Sequence, residues 1–432
     1  MKFIHTADWH LGNRMYDINR CEEYEAFFSW LKDEIVRENA GTLIVSGDIY
    51  DTTHPTTEAR TQYFRFLTSL VGTCCKNIVI VGGNHDSGLL LDSEKTLLEL
   101  LNIHVVGSIA NAKIEDIVFE LFDSGGNVEA ICCAIPYARE SELRRFHDEE
   151  SDDGTFSDKA YGELYRQALE AAKIKSNGKD VPIVATGHLY AANLEGRLKD
   201  VQGEIKSDDG TRMLDVVGKL GSVHAGIFPK DFDYVALGHI HYASTVDGNP
   251  RIRYSGSPFV MGFDEANIPR NVLSVEIDSD HKTTVKKIQI PQQVVYRRIS
   301  GNCTYIIDEL LKYEGNPPEK NTFIEAYFIA EDGINIHDKI ESIRQKLPDC
   351  VSVVNVKAQQ RQIDSDAFGN IDMDDLKNFD ATEIFRRLIL SKKAALFSGL
   401  PDEEQKSMKD ELVKKYMPLF LEIASEMEKE TK

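Results

Sequence analysis

The sequence predicts a layered α/β core, then a small α+β module, then a helical tail. Three observations lead there. Short apolar strand patterns alternate with helical patterns from Met1 to about Pro258. Five of those strands run into carboxylate, imidazole or amide side chains, mostly beside a glycine. After residue 291 the pattern changes to a separate strand–helix–strand–helix–strand run.

Taken in order, Lys2–Thr6 reads as a strand, and the helix after it carries Tyr24, Phe27, Phe28, Leu31 and Ile35 at helical spacing on one apolar face. Thr42–Ser46 and Asn77–Val81 are the next strands. The run Ile78-Val79-Ile80-Val81 is apolar on both faces, as a buried parallel strand requires. Residues 87–101 form a leucine-rich helical pattern, and 117–122 and 129–135 are further strands. Residues 182–186 and 234–237 are two more, and Asn271–Ile277 with 284–290 reads as a closing antiparallel pair.

These elements make residues 1–291 one domain. Residues 292–362 form a second, with strands at 294–299, Thr322–Ile329 and 351–356 and helices at 305–313 and 337–347. The acidic stretch 363–380, with Asp364, Asp366, Asp372, Asp374, Asp375 and Asp380, reads as a linker. In the tail, 381–432, Ile384, Phe385, Leu388 and Ile389 make one apolar stripe. Met408, Leu412, Tyr416, Phe420, Ile423 and Met427 make a second, which Pro418 should kink. Two amphipathic helices beyond a linker either pack back on the body or bind a partner.

The chain has 432 residues, too many for one core, and no run approaches the roughly 20 apolar residues of a membrane helix. Its N-terminus enters a strand directly, without a secretory signal pattern. Seven cysteines, with no Cys-x-x-Cys spacing, argue against a disulfide framework or structural zinc and suit a reducing cytosol. A net charge of −21, from 50 basic and 71 acidic residues, disfavours a protein that coats nucleic acid. It leaves room for an enzyme that grips nucleic acid locally.

The strand ends carry the chemistry. They read Asp8-Trp9-His10, Gly47-Asp48-Ile49-Tyr50-Asp51, Gly83-Asn84-His85-Asp86, Gly187-His188 and Gly238-His239-Ile240-His241. Residues two apart on an extended backbone face the same side, so Asp8 and His10, or His239 and His241, can face one ion. A mixed N/O donor set without thiolate favours Mn²⁺, Fe²⁺ or Zn²⁺ over Mg²⁺ or Ca²⁺. Seven ligands suit two ions with a bridging carboxylate, and ions about 3.5–4 Å apart can clamp both oxygens of a phosphoryl transfer. His5, His54, His104, His147, His224, His281 and His337 lack this setting and are read as structural.

These motifs together resemble the calcineurin-like metallophosphoesterases. Within that superfamily, His5-Thr6-Ala7-Asp8-Trp9-His10-Leu11-Gly12, Gly47-Asp48-Ile49-Tyr50-Asp51-Thr52 and Tyr254-Ser255-Gly256-Ser257-Pro258 are most similar to the nuclease subunits of bacterial double-strand-break repair complexes. The resemblance implies one metal on Asp8, His10 and His241, a second on Asn84, His188 and His239, and Asp48 between them. It implies that His85 assists the leaving oxygen, with Asp51 able to orient it. Protein phosphatases of the superfamily carry Arg-Gly after the second Asp and Glu after Gly-Asn-His; Thr52-Thr53 and Asp86 stand here.

The expected activity is therefore a Mn²⁺-dependent DNA phosphodiesterase, a 3′→5′ exonuclease and single-strand endonuclease processing double-strand breaks and hairpins. The same resemblance implies a homodimer, a coiled-coil ATPase partner in a heterotetramer, a DNA-facing role for 292–362, a partner-binding tail, and a cytoplasmic, nucleoid-associated setting. Arg14, Arg139, Arg144, Arg145, Arg197 and Lys199 are candidate DNA contacts. A small-nucleotide phosphodiesterase and a catalytically silent DNA-end scaffold are the competing readings.

Overall fold

A computed structural model of the chain describes residues 1–16, 18–147, 155–191, 223–329, 336–359 and 410–418. In chain order its elements begin with β1 (Lys2–Thr6), α1 (Cys21–Arg37), β2 (Thr42–Ser46), α2 (Thr57–Ser69), β3 (Asn77–Val81), α3 (Gly88–Asp92), α4 (Lys95–Glu99) and β4 (Ile103–Val106). There follow β5 (Val118–Phe122), β6 (Val128–Cys133), α5 (Glu140–Leu143), α6 (Phe156–Lys175), β7 (Ile183–His188), β8 (Tyr234–Gly238), β9 (Ser244–Val246) and β10 (Asn249–Tyr254). The last strands of the core are β11 (Asn271–Ile277) and β12 (Thr283–Gln289). Then come β13 (Val295–Gly301), α7 (Cys303–Leu311), β14 (Thr322–Ile329), α8 (Ile336–Arg344) and β15 (Val351–Gln359). Residues 410–418 form a helix, α9.

The core strands divide between two six-stranded sheets, ordered β12-β11-β1-β2-β3-β4 and β5-β6-β7-β8-β10-β9. In the first, β1 to β4 run parallel, and β11 closes antiparallel on β1 with Phe3 opposite Val275. In the second, β6, β7, β8 and β10 run parallel between antiparallel edges β5 and β9.

Alternation along the first sheet sends Phe3, Ile44, Val79 and Val81 into a continuous core with Ile131, Val184, Val235 and Leu237 of the second. Ile4, Leu43, Val45, Ile78 and Ile80 point the other way, against Phe27, Phe28 and Leu31 of α1 and Tyr63, Phe66 and Leu67 of α2. Each such side chain, fully buried, is worth ~1.5–3 kcal/mol. Polar contacts also cross between the sheets: the Ser46 hydroxyl donates to the Ala236 carbonyl at 3.0 Å, and Tyr234 pairs with His5 at 3.0 Å. The parallel strands of both sheets thus bring their carboxyl ends to one edge of the sandwich.

The expected layered α/β class is the class observed. The leucine-rich stretch 87–101 differs: it forms two five-residue helices, α3 and α4, instead of one. The Ser87 side chain caps α3, and the Asp92 carboxylate accepts from Gly107 N at 2.8 Å, which ties the end of α3 to the loop after β4. The sequence patterns leave α2, α5, α6, β4, β9 and β10 unassigned. The strands and helices expected within 292–362 are present to within a few residues, as sheet β13-β14-β15 with α7 and α8.

The chain divides into two compact units, Met1–Tyr327 with Asn335–Lys357, and Phe328–Ile334 with Ala358–Lys432. In the second, α9 holds Leu412 and Tyr416, with the Lys415 ammonium 5.6 Å from the Tyr416 ring, and Pro418 is its last described residue. The linker 363–380, the stripe from Ile384 and the residues Met408, Phe420, Ile423 and Met427 lie outside the described residues. No helix among the described residues is long and apolar enough to cross a membrane.

Glu38, just after α1, fastens the first sheet. Its carboxylate accepts from Lys286 at 2.7 Å and Ser274 at 3.1 Å and pairs with Lys2 at 2.9 Å, so three strands meet on it. Lys286 and Lys2 bring its pKa down to about 2 from the usual 4.5. The stabilisation is therefore complete above pH 4.5 and lost as pH falls towards 2. A Glu38→Gln variant should be less stable by about 1 kcal/mol at pH 7, a modest value because the lysines are solvated. Urea melts across this range should show the two proteins converging at the acid end. A gap independent of pH would contradict the assignment.

Candidate metal centre

Where β1 ends, the chain does not relax into an ordinary loop. Asp8 N donates to Gly47 O, His10 N to Asp48 O and Leu11 N to Ile49 O, so the β1 and β2 extensions stay paired past the sheet. Asp8, His10 and Asp48 take left-handed φ values of 55°, 46° and 50°, and His239 takes 95°. For residues with a Cβ this conformation costs of order 1–3 kcal/mol and persists only where the surroundings dictate it. Glycines supply the room. A Cβ on Gly83 would lie 2.1 Å from Asp48 Oδ1, one on Gly47 2.2 Å from His188 Nδ1, and one on Gly238 1.9 Å from Ser46 O. Polar side chains therefore pack directly on bare backbone.

The expected site residues converge on Asp48. Its Oδ2 is 3.3 Å from His188 Nε2 and 3.5 Å from His10 Nε2, and its Oδ1 accepts from His85 N at 2.9 Å. Ligand-type atoms of Asp8, His10 and His241 lie within 4.8 Å of one another, as do those of Asp8, Asp48 and His188. Asn84 Oδ1 is 3.0 Å from His188 Nε2 and 2.9 Å from His239 Nδ1. Asp8 Oδ1 accepts from His239 N at 2.8 Å. All seven expected ligand residues thus share one pocket, four from the first sheet and three from the second.

The donor set fits divalent cations. Asp8 Oδ2 and both ring nitrogens of His10 are buried outside hydrogen-bond geometry, a cost of ~1–3 kcal/mol each if nothing else satisfies them; the carboxylates facing His10 are Asp51 at 3.3 Å from Nδ1 and Asp48 at 3.5 Å from Nε2. His188 Nδ1 donates to the Ser46 carbonyl at 2.9 Å, so its Nε2 faces two acceptor oxygens and needs a proton or a cation between. The protein's own charges agree. Burial alone would lower the His188 pKa, but Asp48 and Asp8 outweigh it and raise it to about 9. Burial would raise the Asp48 carboxyl, but His188 and His10 hold it below the usual range. Burial, reinforced by His188, lowers His239 to about 3.

His85 is exposed, its Nδ1 3.0 Å from the Asp51 main-chain carbonyl. An Asp51 carboxylate oxygen also lies within 4.8 Å of a His85 ring nitrogen, in one cluster with His10. The carboxylate accepts from Asn13 Nδ2 at 3.0 Å and lies 3.3 Å from His10 Nδ1. Three supporting groups have roles the sequence alone does not give, although Asp86 and Ser257 stand within its motifs. Asp86 is buried and accepts main-chain N–H bonds from Ile49, Tyr50 and Gly83 at 2.8–3.0 Å, which locks the β2 extension to the β3 extension. Burial and the nearby Asp48 raise its pKa to about 6. Glu265 lies 3.3 Å from His241 Nδ1 and is paired with Arg270 at 3.0 Å. Ser257 Oγ donates to Asp8 O at 2.7 Å, giving the Tyr254–Pro258 signature a structural role. Adjacency to Asn84-His85 and to His241 was the available signal.

The basic candidates scatter. Arg14 is exposed just after His10, Arg139 is exposed at the start of α5, and Arg144 is exposed and pairs with Glu140 at 3.1 Å. Arg145 donates to the carbonyls of Ile109 and Ala112 at 2.7 and 2.6 Å, so its guanidinium braces a loop. Arg197 and Lys199 lie outside the described residues. Among the histidines read as structural, His5 is buried against Tyr234, His104 stacks on Phe119 at 4.3 Å and His281 pairs with Asp233 at 3.0 Å.

Comparison with known proteins bears on this site. A sequence profile described as calcineurin-like phosphoesterase matches residues 1–243. The chain is similar to the SbcD subunit of the SbcCD nuclease of Escherichia coli (strain K12), at 29% identity over 400 residues, covering 91% of this chain and 94% of that protein. It is similar to the SbcD protein of Bacillus subtilis (strain 168), at 26% identity, covering 100% of this chain and 99% of that one. The SbcD protein of Rhodobacter capsulatus is 28% identical over 318 residues, covering 72% of this chain and 74% of that one.

A methyl group at Gly83 cannot fit while Asp48 stays in place. Gly83→Ala should therefore weaken Mn²⁺ binding at least tenfold in a calorimetric titration. Wild-type affinity would show that the close packing of Asp48 on this backbone is not needed.

Proposed function

The chain belongs to the calcineurin-like phosphoesterase family, and from that premise we propose that it hydrolyses DNA phosphodiesters as the nuclease subunit of a larger assembly. The observation that carries this is the gathering of seven N/O donor residues, the buried Asp48 among them, beside an exposed imidazole. In this reading Asp8, His10 and His241 hold one divalent ion, Asn84, His188 and His239 the other, and Asp48 lies between. Two such ions, Mn²⁺ by preference, would make hydroxide available at neutral pH and would offset the charge of the phosphate.

The chain's own groups do the rest. Asp86 and Ser257 hold the loops in place. His239 is fixed through its main-chain N–H on Asp8. His85 donates through Nδ1 to the Asp51 carbonyl, so only its Nε2 can meet substrate. In the doubly protonated form that Nε2 gives its proton to the leaving oxygen as the P–O bond breaks and the new P–O bond forms on the opposite face.

The name of the relatives describes them as one subunit of a nuclease, which supports a partner for this chain. We assign that role to an SbcC-type coiled-coil ATPase docking on the tail 381–432, in a heterotetramer with two copies of this chain. Domains 1–291, 292–362, 363–380 and 381–432 then serve as nuclease, DNA-facing cap, linker and partner-binding tail. Arg14, Arg139, Arg144, Arg145, Arg197 and Lys199 are the proposed DNA contacts, Arg145 also bracing a loop through its hydrogen bonds. A DNA substrate and seven unpaired cysteines support a cytoplasmic, nucleoid-associated setting.

For the homodimer, the supporting observation is an apolar surface on α3, α4 and the loop after them: Leu89, Leu97 and Leu100 are 84%, 70% and 81% exposed. Sedimentation of the wild type should give a dimer at micromolar concentration, and the Leu97→Glu/Leu100→Glu double variant a monomer. A wild-type monomer would count against it.

The decisive test is degradation of end-labelled DNA with Mn²⁺, alone and with the ATPase partner. Wild type should cut with both 3′→5′ exonuclease and single-strand endonuclease products, and His85→Asn should be about 10²–10⁴-fold slower. Inactivity of the wild type even with the partner would sink the nuclease reading in favour of a silent DNA-end scaffold. Turnover confined to cyclic or dinucleotide substrates would favour a small-nucleotide phosphodiesterase.

A further inference from the structure

The segment between β1 and α1 does more than deliver His10. Asn13 N donates to His10 O at 3.0 Å, and the Asn13 side chain is used at both ends. Its Nδ2 donates to Asp51 Oδ1 at 3.0 Å and its Oδ1 accepts from Arg20 Nη1 at 3.0 Å. Asp51 Oδ1 in turn lies 3.3 Å from His10 Nδ1. Arg20 is 2% exposed. Its Nε donates to Glu23 Oε2 at 2.8 Å, and its guanidinium carbon sits 5.8, 5.4 and 5.6 Å from the ring centres of Tyr24, Phe259 and Tyr296. Glu23 Oε2 also accepts from the Tyr296 hydroxyl at 3.0 Å.

Tyr296 belongs to β13, the first strand of the three-stranded sheet. A continuous run of polar contacts therefore leads from that sheet to one imidazole of the metal centre: Tyr296, Glu23, Arg20, Asn13, Asp51, His10. His241 on the same half is held by Glu265 and Arg270, and Phe263, two residues before Glu265, packs on Tyr296 at 5.9 Å. The other half is supported differently. His188 rests on the main chain of Ser46, and Asn84 meets His188 and His239 directly. Burying an arginine is costly unless its contacts are needed. Here those contacts end on a carboxylate that fixes an imidazole, the arrangement by which outer groups tune metal affinity.

We propose that Asn13 and Arg20 are positioning residues, which orient Asp51 and through it His10. Seating of β13 on Arg20 then strengthens cation binding at the Asp8–His10–His241 half and leaves the Asn84–His188–His239 half unchanged. This rests on the two-cation reading above. The coupling is reciprocal, so a cation at that half also tightens the seat of Tyr296.

Calorimetric titration of the full chain with MnCl₂ alone tests this, alongside thermal melts to confirm folding. Wild type should bind two ions. Asn13→Ala and Arg20→Met should each weaken one ion about 10–100-fold and leave the other within about twofold. Joining the two substitutions should add little, because Arg20 acts through Asn13. Tyr296→Phe, which keeps the ring and removes the hydroxyl, should weaken the same ion about threefold or more. In an Asn84→Ala background the one remaining ion should be the sensitive one. Variants that bind both ions as wild type does, or weaken both equally, would overturn the relay while leaving the two-cation reading intact. A wild type that binds fewer than two ions would overturn both. Should Arg20→Met fail to fold, Asn13→Ala and Tyr296→Phe decide the matter.

Discussion

Asp48 is a carboxylate almost withdrawn from water, and the rest of the site follows from what that withdrawal demands. A buried charge must be paired and hydrogen-bonded. Asp48 meets the demand with His188 and His10 on one oxygen and His85 N on the other. Those partners bring demands of their own. His188 needs the Ser46 carbonyl behind it, and His10 needs the Asp51 carboxylate. The polar network therefore spreads outward, ending at main-chain atoms behind His188 and running on through the buried Arg20 to Glu23 and Tyr296 behind His10.

Four of the ten left-handed non-glycine residues among those described lie in the same place. Asp8, His10, Asp48 and His239 adopt left-handed conformations, and the sandwich holds them there through paired strand extensions and glycines that allow side chains to lie on the main chain. The apolar core on both faces of the first sheet is what makes this tolerable. Asp86 converts that rigidity into position by gripping three amides from two loops at once. A site built this way is preorganised, because its groups have little freedom left to lose when a cation or a phosphate arrives.

Much of this was legible in the sequence for a local reason. A buried strand has a two-residue period, and polar residues at its end stand out against it; the resemblance to the metallophosphoesterases then singles out Asp8, His10, Asp48, Asn84, His188, His239 and His241 among them. The division of strands between two sheets was not legible, since β3 and β7 look alike as apolar runs and only long-range pairing separates them. The partner of Asp51 was hidden for a related reason. Which way a carboxylate turns depends on Asn13 and Arg20, whose roles appear only once the loop after His10 folds against Tyr296. The break between α3 and α4 depends on Asp92 meeting Gly107, which no helical periodicity reveals.

The placement of β1 has a consequence for the order of synthesis. This first strand is flanked by β2 and by β11, whose residues Asn271–Ile277 are made much later. His239 N reaches Asp8 across 231 positions of chain. A nascent chain that has emerged only as far as β4 holds Asp8, His10, Asp48 and Asn84 but none of the second sheet, and its own first sheet is still open along one edge. The residues of the candidate metal centre thus come together only once most of the chain has been made. The order of the strands alone therefore makes assembly of the site a late event.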